Sequence, residues 1–375
     1  MKIIERQLRQ SLLQQWDSGK VLIVLGPRQA GKTTLIESIC KEKGEYLFLN
    51  GDDPEIRTVL ENAGEKKLIR IIGKHDTIFI DEAQRIKDIG IISKIVHDRL
   101  KKKRLVISGS SSLELSNEMN EPLTGRKWEH LLFPISWNEL VGHAGYIHAR
   151  AQLDTRLIYG MYPEVIIQED NAQNVLKSLT GSYLYKDLLR HEGIRKPELL
   201  EKLLIALALQ IGSEVNFNEL ANLLRVDRAT VERYIDLLEK TFVIFKLRPL
   251  SRNLRNELSS GRKIYFYDNG IRNALIGDFK SPELRNDMGL LWENFVICER
   301  QKLNHYRNWH GHSWFWRTYQ QQEIDLIEEI DGSFFAFEAK WNEYRKVKFS
   351  RSFTDNYKPE RTLVITPGNF DDFLE

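Results

Sequence analysis

The chain is 375 residues long, more than one ordinary hydrophobic core organises, so two or three domains are expected. Its 42% hydrophobic and 29% charged content is that of a soluble globular protein and excludes a fibrous or disordered one. Lys+Arg 55 against Asp+Glu 53 leaves +2, so no whole-chain field advertises nucleic acid, and any basic patch must be local.

The first sixteen residues, MKIIERQLRQSLLQQW, alternate charge with apolar residues. They lack the continuous apolar stretch of a secretion signal and read as an amphipathic helix. No apolar run approaches the ~18 residues a membrane span needs, so the expected location is the cytoplasm, with no membrane partner. Cys40 and Cys298 are far apart and make neither a disulfide framework nor a zinc cluster; two buried free thiols are expected. Up to about residue 140, apolar runs alternate with polar, helix-like stretches: VLIVL (21–25), YLFLN (46–50), TIFI (77–80), RLVIS (104–108) and HLLFP (130–134). Continuous runs rich in β-branched residues predict strands covered on both faces, hence a parallel sheet flanked by helices. From about 150 to 250 the pattern turns helical, through LIYGMYPEVIIQ, NVLKSLTGSYLYKDLLR and PELLEKLLIALALQIG. From about 262 strands return, as KIYFYD, SWFWRTY, EIDLIEEI, SFFAFEAK and RTLVIT. These changes divide the chain into 1–150, 151–260 and 261–375.

Gly26, Gly31, Lys32 and Thr33 spell G-x-x-x-x-G-K-T, after a predicted strand and at the start of a predicted helix, TTLIESICK. That context marks a P-loop. Gly26, Pro27, Arg28, Gln29, Ala30, Gly31, Lys32, Thr33 and Thr34 are expected to curl around a triphosphate. Their N–H groups would face the anion and the helix N-terminus would add its dipole. Lys32 would reach the β- and γ-phosphates, and the Thr33 hydroxyl would bind Mg²⁺. In TIFIDEAQ, Asp81 and Glu82 close an apolar strand. Asp81 can hold the metal and Glu82 can orient and deprotonate a water. Two carboxylates opening a helix would also suit its dipole. The cofactors expected are therefore ATP and Mg²⁺, with Lys32, Asp81 and Glu82 catalytic.

GPRQAGKTT, YLFLNGDDPE, IFIDEAQ, VISGSSS and LTGRKWEHLLFPISWNEL together resemble a prokaryotic branch of the AAA-type ATPases, over about residues 5–140. The resemblance implies that Ser108 or Ser110 senses the γ-phosphate after the fourth strand. It also implies that Arg126 is an arginine finger acting on a neighbouring subunit, and hence that the active form is a homo-oligomer. An arginine-bearing helical lid of the family's usual kind is not evident after the core.

Within residues 213–250, two short helices flank the turn Val226-Asp227-Arg228, a helix-turn-helix pattern, and FVIFKLRPL resembles the wing of a winged helix. Residues 225 to 262 hold nine Lys or Arg against five Asp or Glu. Arg228, Thr230 and Arg233 are the candidates for DNA contact, but Glu232 and Asp236 share their helix, and a packing or lid role stays open. In the last segment Glu293, Asp325, Glu338 and Lys340 resemble the PD-(D/E)XK nuclease pattern. A second Mg²⁺ site at Asp325 and Glu338, with Lys340 and Glu293 beside it, is one reading; a salt-bridged sheet face is the other. The basic run Arg345, Lys346, Lys348, Arg351, Lys358 and Arg361 could follow a nucleic-acid backbone or simply be solvated. All of residues 150–375 resembles the region that commonly follows this ATPase branch.

The expected fold class is α/β: a P-loop NTPase with a parallel sheet, then a helical and winged-helix region, then an α+β restriction-endonuclease-like domain. The expected function is Mg-dependent ATP hydrolysis coupled to conformational or oligomeric change, serving an unknown protein partner. Two rivals remain: a nucleotide-switched DNA-binding regulator, and a metal-dependent nuclease gated by the ATPase.

Overall fold

The structure is a computed structural model that describes residues 3–110, 121–184, 197–250, 261–318, 320–345 and 347–375. Lys346 of the basic run, residues 111–112 of VISGSSS and the YKDLLR end of the second helical stretch lie outside them. The chain divides into two compact units, Met1–Ile135 with Lys240–Phe242, and Ser136–Glu239 with Val243–Glu375.

The first unit is built on five parallel strands, β1 (Val21–Leu25), β2 (Tyr46–Asn50), β3 (Thr77–Asp81), β4 (Arg104–Gly109) and β5 (Lys127–Leu131), in the order β2-β3-β4-β1-β5. β1 and β3 are buried along their whole length, as continuous apolar runs between helical layers must be. The edge strands β2 and β5 are half exposed. This explains the one misplaced strand in this unit. KWEHL is more polar because it lies at an edge, while the apolar Leu132 and Phe133 are buried just beyond the strand end. The helix Lys32–Lys43 buries Leu35, Ile36, Ile39 and Cys40. Each such aliphatic side chain is worth roughly 1.5–3 kcal/mol of burial. The N-terminal helix is shorter than the sequence suggests, Leu8–Gln15, and buries Leu8 and Leu12, with Trp16 buried just after it. Cys40 and Cys298 are both free and buried, and burial pushes each thiol up to about 12.

The second unit holds a seven-stranded sheet. Its strands are β6 (Glu214–Val215), β7 (Ile244–Pro249), β8 (Arg262–Phe266), β9 (His312–Arg317), β10 (Glu323–Ile330), β11 (Ser333–Ala339) and β12 (Arg361–Ile365), ordered β12-β11-β10-β9-β7-β8-β6. β7 and β8 form an antiparallel pair, and β7 runs parallel to β9. One sheet thus continues through residues on both sides of 260. Before β7 come the helices Phe217–Leu224 and Arg228–Lys240. The first is capped by Asn216, which accepts from the N–H groups of Asn218 and Glu219. Val231, Tyr234, Ile235 and Leu238 of the second are buried, following its 3.6-residue period. The 19-residue helix Met288–Tyr306 buries Trp292 and Phe295, which pack with Trp137 and Phe370. Among the described residues no helix is long and apolar enough to cross a membrane.

Candidate functional site

β1 ends at Leu25, and the chain turns sharply at Gly26 (φ +149°) and Gly31 (φ +94°) before entering the helix Lys32–Lys43. A Cβ at Gly26 would sit 2.0 Å from the Leu132 carbonyl oxygen, so only glycine lets the loop lie against the end of β5. The turn is closed by the Ala30 N–H donating to the Pro27 carbonyl at 3.3 Å. The first helical N–H groups, from Lys32 onward, have no acceptor within their own helix and are directed out of its N-terminus. Lys32 is 5% exposed and folds back over the loop, donating to the carbonyls of Gly26 and Pro27, both at 2.9 Å.

β3 delivers the acidic pair to the same edge of the sheet, since all five strands run parallel and β4 alone separates β3 from β1. Asp81 is 7% exposed. It accepts from the Thr33 hydroxyl at 2.7 Å through Oδ2, and from the Ser108 hydroxyl at the end of β4 through Oδ1. Glu82 takes a left-handed backbone (φ 48°), uncommon for a non-glycine residue and typical of constrained site positions. Its carboxylate accepts from Gln84, and from the Ser110 hydroxyl at 3.2 Å. Gln84 also donates to Ser110 at 3.0 Å. The Glu82 N–H donates to Asp81 Oδ1 at 3.1 Å, so Thr33, Asp81, Glu82, Ser108 and Ser110 form one hydrogen-bonded cluster beside the loop of Gly26 to Gly31. A hydroxyl and a carboxylate oxygen are the hard donors that Mg²⁺ prefers, so this pair fits that metal.

Two supports carry little or no local sequence signal. Arg6, 7% exposed, donates to the Ala30 carbonyl at 2.6 Å and to the Phe133 carbonyl at 2.5 Å, tying the loop to the chain after β5. Asp52 pairs with Arg28 of the loop at 3.7 Å and with Arg85 after β3 at 2.5 Å. Only the G-D-D tripeptide after β2 hints at its place. Arg126 does not join the cluster. It precedes β5 at the end where β1 begins, its carbonyl accepting from the Val21 N–H, a strand length of ~16 Å from the loop. Its guanidinium is held by Asp98 at 2.9 Å.

In the second unit Glu293, Asp325, Glu338 and Lys340 are brought together, but around ammonium groups. Lys340 Nζ lies 3.1 Å from Asp325 and 2.5 Å from Glu338. Lys263 of β8, absent from the sequence reading, lies 3.0 Å from Glu293, 3.6 Å from Asp325 and against Glu323. Tyr265 donates to Glu293 at 2.7 Å. Burial, then the Asp325 charge, pushes Glu293 and Glu338 each up to about 7. Burial would raise Asp325 too, but Lys263 and Lys340 outweigh it and hold its carboxyl below the usual range. Among the described residues no group of three or more His, Cys, Asp or Glu is placed to hold a metal ion. The carboxylate oxygens thus face two ammonium groups, the arrangement of the salt-bridged sheet face that is the other reading of these residues. Of the DNA-contact candidates, Arg228 is paired with Glu232 at 2.7 Å, the Thr230 hydroxyl donates to Asp227, and Arg233 is exposed beside the Tyr234 ring.

Residues 18–141 match the model of an AAA domain. The first unit has an AAA-type P-loop fold. Residues 150–281 and 288–375 match two different domains of unknown function. An uncharacterized protein of Mycobacterium tuberculosis is 29% identical over 355 residues, covering 93% of this chain and 76% of that one. One of Haemophilus influenzae is 26% identical over 375 residues, covering 93% and 90%. Among solved structures, a Walker-type ATPase of Pyrococcus abyssi is similar in fold, with a TM-score of 0.52 at 15% identity, over 73% of this chain and 96% of that one.

Proposed function

We propose that the first unit binds ATP with Mg²⁺ and hydrolyses it, and that turnover drives a change of conformation or oligomeric state. The observation that carries this reading is the 2.7 Å hydrogen bond between Thr33 and Asp81, residues 48 apart in sequence on separate elements of one sheet edge. With the loop of Gly26 to Gly31 beside them, these are the parts that phosphoryl transfer to water requires. Thr33 and Asp81 would hold Mg²⁺, which when bound withdraws charge from the phosphate oxygens. Lys32, released from the Gly26 and Pro27 carbonyls, would pair with the phosphates. Glu82 accepts the proton of the attacking water, and Ser110 holds that carboxylate in place until the substrate enters. Arg126 can serve only a neighbouring copy's site, because the length of β1 separates it from its own.

For the second unit we propose a winged helix followed by a restriction-endonuclease-like domain. The support for the first is the succession of β6, two helices and the β7–β8 pair, with strand order β6-β8-β7. The support for the second is the meeting of Asp325 on β10 and Glu338 on β11 with Lys340 just past the end of β11.

The hydrolysis reading is tested by Glu82→Gln. The variant should bind ATP as the parent does and release phosphate at least ~10²-fold more slowly. A parental hydrolysis rate in Glu82→Gln would remove Glu82 from the reaction and with it the proposed mechanism.

A further inference from the structure

The acidic cluster of the second unit contains a lysine that the nuclease-like pattern does not call for. Lys263 is 1% exposed, and its ammonium lies among carboxylates from two elements: Glu293 on the helix Met288–Tyr306, and Glu323 and Asp325 on β10. The Phe315 ring lies 5.7 Å from it. Asp325 is reached from both sides. One oxygen faces Lys263, while the other accepts from the Ala339 N–H at 3.0 Å and from Lys340 at 3.1 Å. The pairing of β10 with β9 slips between Ile324 and Ile327, a bulge that carries Asp325. Bulges of this kind re-aim side chains.

Burying an ammonium is expensive and is repaid only by close, well-placed acceptors. Lys263 has them, and its neighbours Glu293 and Asp325 offer the hard oxygens that a divalent cation would otherwise take. Most of the charge is met locally: two ammonium groups stand among four carboxylates, and Arg317 lies 3.9 Å from Glu323. We infer that Lys263 is a built-in cation that closes this cluster, so that the cluster excludes Mg²⁺ and Mn²⁺ unless β8 withdraws its lysine. β8 is held by antiparallel pairing with β7. This inference is independent of nucleotide binding in the first unit.

The test uses the full chain with Mn²⁺ as probe and no nucleotide. In the wild type, Mn²⁺ should cause no selective broadening of NMR signals from Asp325, Ala339 and Glu293. Lys263→Gln and Lys263→Met should each gain a Mn²⁺ site, binding at least tenfold more tightly than any site in the wild type. That gain should vanish when Asp325→Asn is added. Selective broadening around Asp325 in the wild type would overturn the inference, whether or not the variants fold. So would a folded Lys263→Gln protein that gains no Mn²⁺ affinity.

Discussion

Replacing Lys32 separates the loop's own stability from its grip on a ligand. The side chain makes two charge-assisted hydrogen bonds to the Gly26 and Pro27 carbonyls. Bonds to a charged group contribute a net of about 1.5–3 kcal/mol each, and part of this must be given up before the ammonium can reach a phosphate. If the exchange leaves about 2–3 kcal/mol in favour of the phosphate, Lys32→Met should weaken ATP binding by roughly 30- to 150-fold. The consequence can be read from thermal unfolding of the first unit. At ATP of about 100 times the wild-type Kd, binding adds about 2.7 kcal/mol; a variant bound about 100-fold more weakly gains only about 0.4 kcal/mol. For a unit of this size one kcal/mol moves the midpoint by about 4 °C, so the ATP-dependent shift should fall from about 10 °C to about 2 °C. Methionine keeps most of the buried aliphatic stem, while Lys32→Ala also loses its packing and should lower the nucleotide-free midpoint further. An equal ATP-dependent shift in wild type and Lys32→Met would refute the assignment of the loop as a triphosphate cradle.

Gly26→Ala should cost at least about 2 kcal/mol and reduce ATP affinity tenfold or more, because its Cβ would meet the Leu132 carbonyl at 2.0 Å on a backbone with φ +149°; an unchanged unfolding midpoint and unchanged affinity would contradict the packing described. Asp268, which caps the helix Asn269–Ile276, is pushed up by burial to about 6, although the N–H groups of Met161 and Ile271 pull it down. The folded chain therefore keeps a proton that the unfolded chain has released between about pH 4 and 6. This group's contribution to stability falls as pH rises through that window, a loss of about 3 kcal/mol that stands in full above it. A carbon-detected titration of the Asp268 carboxyl should show a midpoint near 6, and a midpoint at or below 4 would exclude the effect.

The parts of the first unit that were legible in sequence are those whose cause is local. The loop from Gly26 to Thr33 was legible in its spacing, because one strand, one turn and one helix start are enough to build it. The hydrogen-bonded position of Asp81 was legible because it ends an apolar strand, and Glu82 follows it directly. β5 was misplaced for an equally local reason: its edge position replaces a continuous apolar run with KWEHL, and the sequence signal moved to Leu132 and Phe133, which are buried without being strand. Arg6 was invisible, because its acceptors are backbone carbonyls 24 and 127 residues away, and a carbonyl has no identity in a sequence.

Lys263 shows the same limit with a larger consequence. In KIYFYD it is a lysine at the head of an apolar run, and nothing local marks it as buried. Its partners Glu293, Glu323 and Asp325 lie 30 or more residues away, and the bulge in β10 that carries Asp325 leaves no mark in EIDLIEEI. The pattern Asp325, Glu338 and Lys340 identifies which acids meet but is silent about what lies between them. Spacing within one segment can reveal a ligand set; only the fold reveals whether another strand has already supplied the cation. The chemistry open to those acids therefore depends on the position of β8, a strand that precedes every residue of the pattern.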